Sequence, residues 1–143
     1  IRNLMTIGQP LQPGDEIPVF ARAADFDAWN RYAAVNAEFV PIHMDDAAGR
    51  QAGHETAIGM GNLGVSQINC MLRSWLNGHG RIASVALQFR SPALRGRTNV
   101  AHGRVKSVYD ADHARTITLD VWIDDDDGTV LTRGTATVEG PSR

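Results

Sequence analysis

A carboxylate and an imidazole lie five residues apart in the run NAEFVPIHMDD at 36–46, as Glu38 and His43. Pro41 stands between them; its ring fixes one φ angle and pushes Val40 toward an extended conformation. Histidine titrates near neutral pH, and a carboxylate can orient a water or stabilise the imidazolium. The run is therefore suited to acid–base chemistry on a stiff turn. A surface hydrogen bond between two loop residues is the simpler alternative.

A second run, ETAIGMGNLG at 55–64, contains three glycines just before a strongly helical pattern. Gly61 is predicted to lie at the N-terminal end of that helix. Free amide groups and the helix dipole there stabilise a developing oxyanion. Glycines also permit tight packing where a helix meets a sheet, and the sequence alone leaves both interpretations open.

No metal site or cofactor is predicted. His43, Asp45 and Asp46 carry ligand atoms, but the sequence shows no partners for them. The acidic run 124–127 matches no calcium loop, and we interpret it as a hairpin turn closed by Gly128. The other histidines show no HxxxH or related spacing: His54, His79, His102 and His113.

The composition of the 143 residues indicates one domain over 1–143, with a net charge of −2 that does not favour nucleic acid or an anionic membrane. No apolar run approaches the roughly 20 residues that span a bilayer. The single Cys70 lies in an apolar helical pattern, which predicts a buried free thiol. We expect a cytoplasmic protein.

The predicted elements change character half-way along the chain. The first half reads as a short strand, a helix with Asp25 as its cap, one or two helical turns, and a long helix ending near Gly78. The second half reads as four strands separated by turns. The ranges are 17–23, 25–35, 44–53 and 62–78 for the first half, and 81–90, 97–109, 115–124 and 129–140 for the strands.

These elements predict an α+β fold in which an antiparallel sheet curls around one central helix. One apolar face of the helix and the inward faces of the strands form the expected core, and Trp122 on the opposite face marks a possible subunit interface. A sheet of this kind leaves an outer face and edges that favour a homodimer, or pairing with a related chain. The expected core includes Ile68, Leu72, Trp75 and Leu119, and the strand at 81–90 is expected to turn Ala83, Val85, Leu87 and Phe89 inward.

The sequence AEFVPIHMD at 37–45 resembles the run Gly-Asp-x-Asn-Pro-(Ile/Leu)-His-x-Asp of the MaoC-like dehydratases, the (R)-specific enoyl-CoA hydratases of the hot-dog fold. The stretch GMGNL at 59–63 is similar to that family's Ala-His-Gly-Met-Leu, which opens its central helix. LQFRSPALRGRTNVAHGRV at 87–105 resembles its strand–turn–strand with Phe-Arg-x-Pro. The resemblance extends from about Leu11 to Val138.

The resemblance implies a role for each matched position. The family's catalytic aspartate falls on Glu38, its catalytic histidine on His43 and its oxyanion glycine on Gly61. Glu38 and His43 would hold the water that adds to a trans-2-enoyl thioester, and the Gly61 amide would stabilise the enolate-like oxygen. The chain departs from the family where its asparagine is Val40 and its oxyanion-loop histidine is Met60.

The same resemblance suggests how a substrate is held. Met60 and Asn62, on either side of Gly61, are expected to contact the substrate. Independently of the resemblance, the cluster of Arg90, Arg95 and Arg97 is expected to meet the phosphates of CoA, since arginine binds phosphate in a bidentate manner. Surface ion pairs are the alternative for these arginines.

Two other functions remain open from the sequence. The first is a hot-dog thioesterase, which hydrolyses the thioester; many of these place a carboxylate on the central helix, and 62–77 has none. The second is a non-catalytic subunit or acyl-thioester-binding module that keeps the fold and pairs with an active partner. The glutamate at position 38 and Val40 are compatible with this second alternative.

Overall fold

The computed structural model describes residues 6–142 and has the predicted order of elements. Three helices and the first strand precede four long strands. The helices are α1 (Phe26–Asn36), α2 (Asp46–Gln51) and α3 (Gly61–Leu76), with a 3₁₀ helix at Pro41–His43 between α1 and α2. The strands are β1 (Phe20–Ala23), β2 (Arg81–Phe89), β3 (Thr98–Asp110), β4 (Arg115–Asp125) and β5 (Val130–Gly140).

The five strands form one antiparallel sheet in the order β1-β3-β4-β5-β2. Two consecutive hairpins join β3, β4 and β5. Strand β2, which follows α3, lies at the edge of the sheet opposite β1. Register shifts interrupt the β2–β5, β3–β4 and β4–β5 ladders. Such bulges bend strands and increase their twist, so the sheet curls around α3.

The expected core is confirmed. Ile68, Leu72 and Leu119 have no exposed surface, and Trp75 is 4% exposed. The buried face of α3 packs against the alternating inward residues of β4, since every second residue of a strand faces the same side. Those β4 residues are Ile117, Leu119, Val121 and Ile123.

The prediction for the inward face of β2 is wrong in part. Ala83 is exposed, because the ladder to β5 shifts between Ile82 and Ser84 and the side-chain alternation shifts with it. Val85 and Leu87 pack against the core as expected. Phe89 is 58% exposed, and its ring leaves the core to contact the start of α3.

Two smaller expectations also need correction. Asn77, with φ 46°, is the left-handed cap of α3, and Gly78 follows it with φ 80°. Asparagine tolerates this conformation better than most residues, so the C-cap lies one residue before the glycine. Cys70 is a free thiol but only half-buried, with its Sγ 3.9 Å from Nη2 of Arg22.

The acidic run forms the predicted hairpin turn. Asp125 Oδ1 accepts hydrogen bonds from the amides of Asp127 and Thr129, each at 3.0 Å, and Gly128 adopts φ 80°. The carboxylate thus satisfies backbone donors of its own turn. Within residues 6–142, no group of three or more His, Cys, Asp or Glu side chains is arranged to hold a metal ion, and no helix is long and apolar enough to cross a membrane.

Candidate active site

The end of α1 sets the position of Glu38. Ala37 caps the helix in the left-handed conformation, with φ 54°, and the Glu38 amide donates to the Ala33 carbonyl at 3.1 Å. Val40 is extended, and Pro41 opens the 3₁₀ helix, where its missing N–H costs nothing. The chain therefore reverses between Glu38 and His43 and brings the two side chains together.

Two hydrogen bonds hold His43 against the segment that leads to α3. The Ile58 amide donates to the Ile42 carbonyl at 3.0 Å, and His43 Nδ1 lies 2.7 Å from the Ile58 carbonyl oxygen. A carbonyl only accepts, so Nδ1 carries the proton and donates it. In the neutral ring, Nε2 then has a free lone pair that can accept a proton.

The free nitrogen of His43 faces Glu38. Nε2 lies 4.0 Å from Glu38 Oε1, and the two side chains are 14% and 31% exposed. This separation is too long for a direct hydrogen bond and suits one water that bonds to both atoms. The Glu38 carboxylate also affects Tyr32 on α1. Burial raises the pKa of the Tyr32 phenol, and the negative charge of Glu38 raises this pKa further.

Gly61 is the first residue of α3. Two residues earlier, the Gly59 amide donates a hydrogen bond to the Ala93 carbonyl at 2.8 Å. Met60 precedes the helix without a side-chain capping bond. Among the described residues, the amides of Gly61 and Asn62 have no hydrogen-bond acceptor. A Cβ at position 61 would lie 2.9 Å from the Phe89 ring, so a larger residue there would have to displace this ring. The arrangement leaves donors at the positive end of the helix dipole.

A cavity of about 360 Å³ lies between α3 and the sheet. It brings together four of the predicted site residues: His43, Met60, Gly61 and Arg90. Most of its remaining wall is apolar and includes Trp29, Ile58, Leu63, Phe89, Ile123 and Leu131. A volume and lining of this kind suit an apolar chain with a polar head at one end.

Three other predicted residues lie elsewhere. Glu38 does not line the cavity; its carboxylate lies 4.0 Å from Nε2 of His43, which does. Asn62 lines a separate groove between α1 and α3. Arg95 contacts neither space, because its guanidinium pairs with Asp46.

The Arg95–Asp46 pair fastens α2 to the loop that follows β2. Arg95 Nε donates to Asp46 Oδ1 at 3.0 Å, and the same oxygen accepts the Ala57 amide at 2.9 Å. The hydrogen bonds from Arg95 and Ala57 lower the pKa of the Asp46 carboxyl to about 2. Because Ala57 precedes Ile58, the pair supports the backbone that holds His43.

Asp46→Asn is expected to destabilise the fold in a pH-dependent manner. The folded pKa of about 2 lies below the ordinary value of 3.8, so the carboxylate stabilises the fold above that value. The contribution of the carboxylate to stability disappears as pH falls from 3.8 toward about 2. The urea midpoint of the variant should therefore lie below that of the wild type at neutral pH, and the difference should shrink at pH 3. Asp112→Asn, which removes a carboxylate without an ion-pair partner in the described chain, is the control.

Five polar residues of the cavity were not predicted from the sequence: Arg22, Gln67, Ser91, Asn99 and Thr132. Gln67 is 4% exposed on the otherwise apolar face of α3 and donates to the carbonyls of Phe20 and Asn99. A glutamine next to Ile68 in an apolar helical pattern was the available signal. Asn99 and Thr132 gave none, because they lie in strands rich in polar residues.

Several solved structures superpose on almost the whole chain, among them three of hydratase or dehydratase type or from a two-protein complex. An (R)-hydratase from A. caviae involved in PHA biosynthesis has 23% identity and a TM-score of 0.81, covering 92% of this chain and 98% of its own. A MaoC-like dehydratase from Rhodospirillum rubrum has 20% identity and a TM-score of 0.77, covering 93% and 94%. The ChsH1-ChsH2 complex from Mycobacterium tuberculosis has 21% identity and a TM-score of 0.76, covering 92% and 98%.

The chain has the hot-dog fold. The sheet curled on α3 is shared with (R)-hydratases and MaoC-like dehydratases, which confirms the resemblance found in the sequence. No protein-family model matches the chain, and no curated protein sequence matches it. The likeness is therefore carried by the structure, and within this hot-dog fold the chemistry has to be argued from the site.

Proposed function

We propose that the chain adds water to, or removes it from, an acyl thioester, interconverting a trans-2-enoyl and a 3-hydroxyacyl group. The observation that supports this most is the 4.0 Å separation of His43 Nε2 and Glu38 Oε1 beside a largely apolar cavity. A water held between these atoms stands next to the place where an enoyl group would lie. The Gly61 amide opens α3 on the same cavity.

In the hydration direction, the water oxygen forms a bond to the β-carbon of the enoyl group while His43 Nε2 accepts one of its protons. The electrons of the double bond move toward the thioester oxygen, where the Gly61 amide donates to the developing charge. The proton is then delivered to the α-carbon. Glu38 orients the water and stabilises the transient imidazolium.

Glutamate at position 38 is compatible with this role in the present backbone. Its carboxylate extends about 1.5 Å farther than an aspartate carboxylate would, and with that extension it stands at water-bridging distance from His43. Shortening the side chain would withdraw the oxygen from the bridging water. The length of the glutamate side chain therefore matches the path of the backbone after α1, which Ala37 sets.

Arg90 is the arginine that fits a role in thioester binding. It lines the cavity and, in the part of the chain described, has no carboxylate within ion-pair distance. Arg95 is occupied by Asp46, and Arg97 lies 3.5 Å from Asp127. We propose that Arg90 meets the phosphates of CoA or of an acyl carrier, where an arginine fork binds well.

A panel of trans-2-enoyl-CoAs tests the reaction type. Loss of the conjugated double bond without release of free thiol is the expected result. Thiol release would instead identify a thioesterase, although α3 carries no aspartate or glutamate for that chemistry. Binding with neither change would identify a non-catalytic acyl-thioester module.

We further propose that two copies, or this chain and a related one, pair in solution. Strand β2 is an edge of the sheet; Phe89 at its end is 58% exposed, and Val130 on the neighbouring β5 is 40% exposed. Edge strands with apolar neighbours are usually covered. Sedimentation at micromolar concentration should show a dimer of the isolated chain; a monomer that dimerises only with a related partner would indicate the hetero-oligomer, and a monomer under both conditions would contradict pairing.

A further inference from the structure

One wall of the cavity is polar, although most of the rest is apolar. Arg22 on β1 and Asn99 on β3 are directly opposite each other in the antiparallel ladder, so their side chains share a face. Both line the cavity, together with Gln67 of α3. Gln67 lies six residues after Gly61, about 9 Å along the helix axis. This polar wall is therefore remote from the end of α3 where the thioester would lie.

Asn99 has an unused hydrogen-bonding group at this wall. Its Oδ1 is buried and has no partner in the described chain. Gln67 does not satisfy it, because both donations from its amide nitrogen go to main-chain carbonyls, of Phe20 and of Asn99 itself. A buried carbonyl oxygen without a donor is costly, so a donor from outside the chain, on a water or a ligand, is expected to pair with it.

Arg22, opposite Asn99 in the ladder, brings a donor group to the same cavity wall. Among the described residues it has no carboxylate partner, and its contacts are the Phe20 ring, 5.1 Å from ring centre to guanidinium carbon, and Cys70. A hydroxyl group uses both residues, since it donates to Asn99 and accepts from Arg22. A methyl group would leave Asn99 unpaired. A carboxylate would suit Arg22 but would bring its negative charge against the Asn99 oxygen.

We propose that the substrate is an enoyl thioester whose acyl group carries a hydroxyl on the part remote from the thioester. This rests on the proposed hydratase function and adds the class of acyl group. Asn99 is the specificity-determining residue, because it accepts the hydroxyl proton. Gln67 positions Asn99 through the main-chain bond at 2.9 Å, and Arg22 donates to the hydroxyl oxygen.

The test compares pairs of enoyl-CoAs of equal length, one ending in methyl and one in hydroxymethyl, over a series of chain lengths. At the length that reaches the wall, kcat/KM should favour the hydroxylated member by about tenfold, the effect of pairing one buried acceptor. Asn99→Leu should abolish this preference. Asn69→Leu is the matched control, because Asn69 lies on α3 outside the cavity and should keep the preference.

Failure of this inference can be separated from failure of the proposed function. If neither member of a pair is hydrated, calorimetry with the saturated acyl-CoAs measures the same preference without turnover. Equal values for both members at every length, or a preference that survives in Asn99→Leu, would overturn the inference. Preference for a carboxylate-ended chain would overturn it as well. If Asn99→Leu does not fold, Arg22→Met on the exposed edge strand must lower the preference.

Discussion

His43→Ala and Glu38→Gln are each expected to reduce hydration of an enoyl-CoA by about 100-fold or more, the range for loss of a general acid or base. The alanine removes the nitrogen that accepts the water proton. The glutamine keeps the shape of the side chain but loses the charge that orients the water and stabilises the imidazolium. Circular dichroism should show that both variants keep the fold. The melting temperature of His43→Ala should fall more than that of Glu38→Gln, because His43 is 14% exposed and its Nδ1 bonds to the Ile58 carbonyl.

The double variant separates a shared role from two independent ones. Both residues hold the same water, so the combined loss should fall well short of the product of the single losses. Glu38→Asp should also lower kcat, since the shorter side chain withdraws its oxygen from the water. Glu55→Gln and His113→Ala, at exposed positions, are the matched controls. Full activity in both Glu38→Gln and His43→Ala would refute the catalytic assignment.

Leu72→Ala is expected to lower the free energy of unfolding by about 2–5 kcal/mol, as for a large-to-small change in a close-packed core. Leu72 has no exposed surface and lies on the face of α3 that packs against the sheet. Few groups could move into the space left by the side chain, because the wall behind it is a continuous ladder of β-strands. Urea denaturation monitored by circular dichroism measures the change.

Val35→Ala provides the comparison for Leu72. Val35 is 84% exposed on α1, so the same kind of truncation should stay within about 0.5 kcal/mol of the wild type. A loss under about 0.5 kcal/mol for Leu72→Ala would mean that α3 turns another face to the sheet. The cavity assignments, which depend on the same face, would then fail with it.

The elements with a long regular pattern could be predicted from the sequence. The apolar period of α3 identified Ile68, Leu72 and Trp75 as core, and the alternation of β4 identified Leu119, because one side of each element is covered along its whole length. The turn at Pro41 was also predictable, since proline restricts its own residue and the one before it. Local rules were sufficient in these places.

The remaining features depend on partners distant in sequence. The bulge that turns Ala83 outward is set by pairing with β5, and Arg95 finds Asp46 at a separation of 49 residues. The unused oxygen of Asn99 becomes apparent only when β1, β3 and α3 meet. No spacing within one segment carries this information, so these features required the three-dimensional structure.

The most direct test of the central claim is a crystal structure of the chain with a 3-hydroxyacyl-CoA bound. The product hydroxyl should lie within hydrogen-bond distance of both His43 Nε2 and Glu38 Oε1, where the water is expected, and the thioester oxygen should accept from the Gly61 amide. The acyl chain should run along the cavity beneath α3. A thioester bound away from His43, or a hydroxyl that contacts neither side chain, would contradict the account.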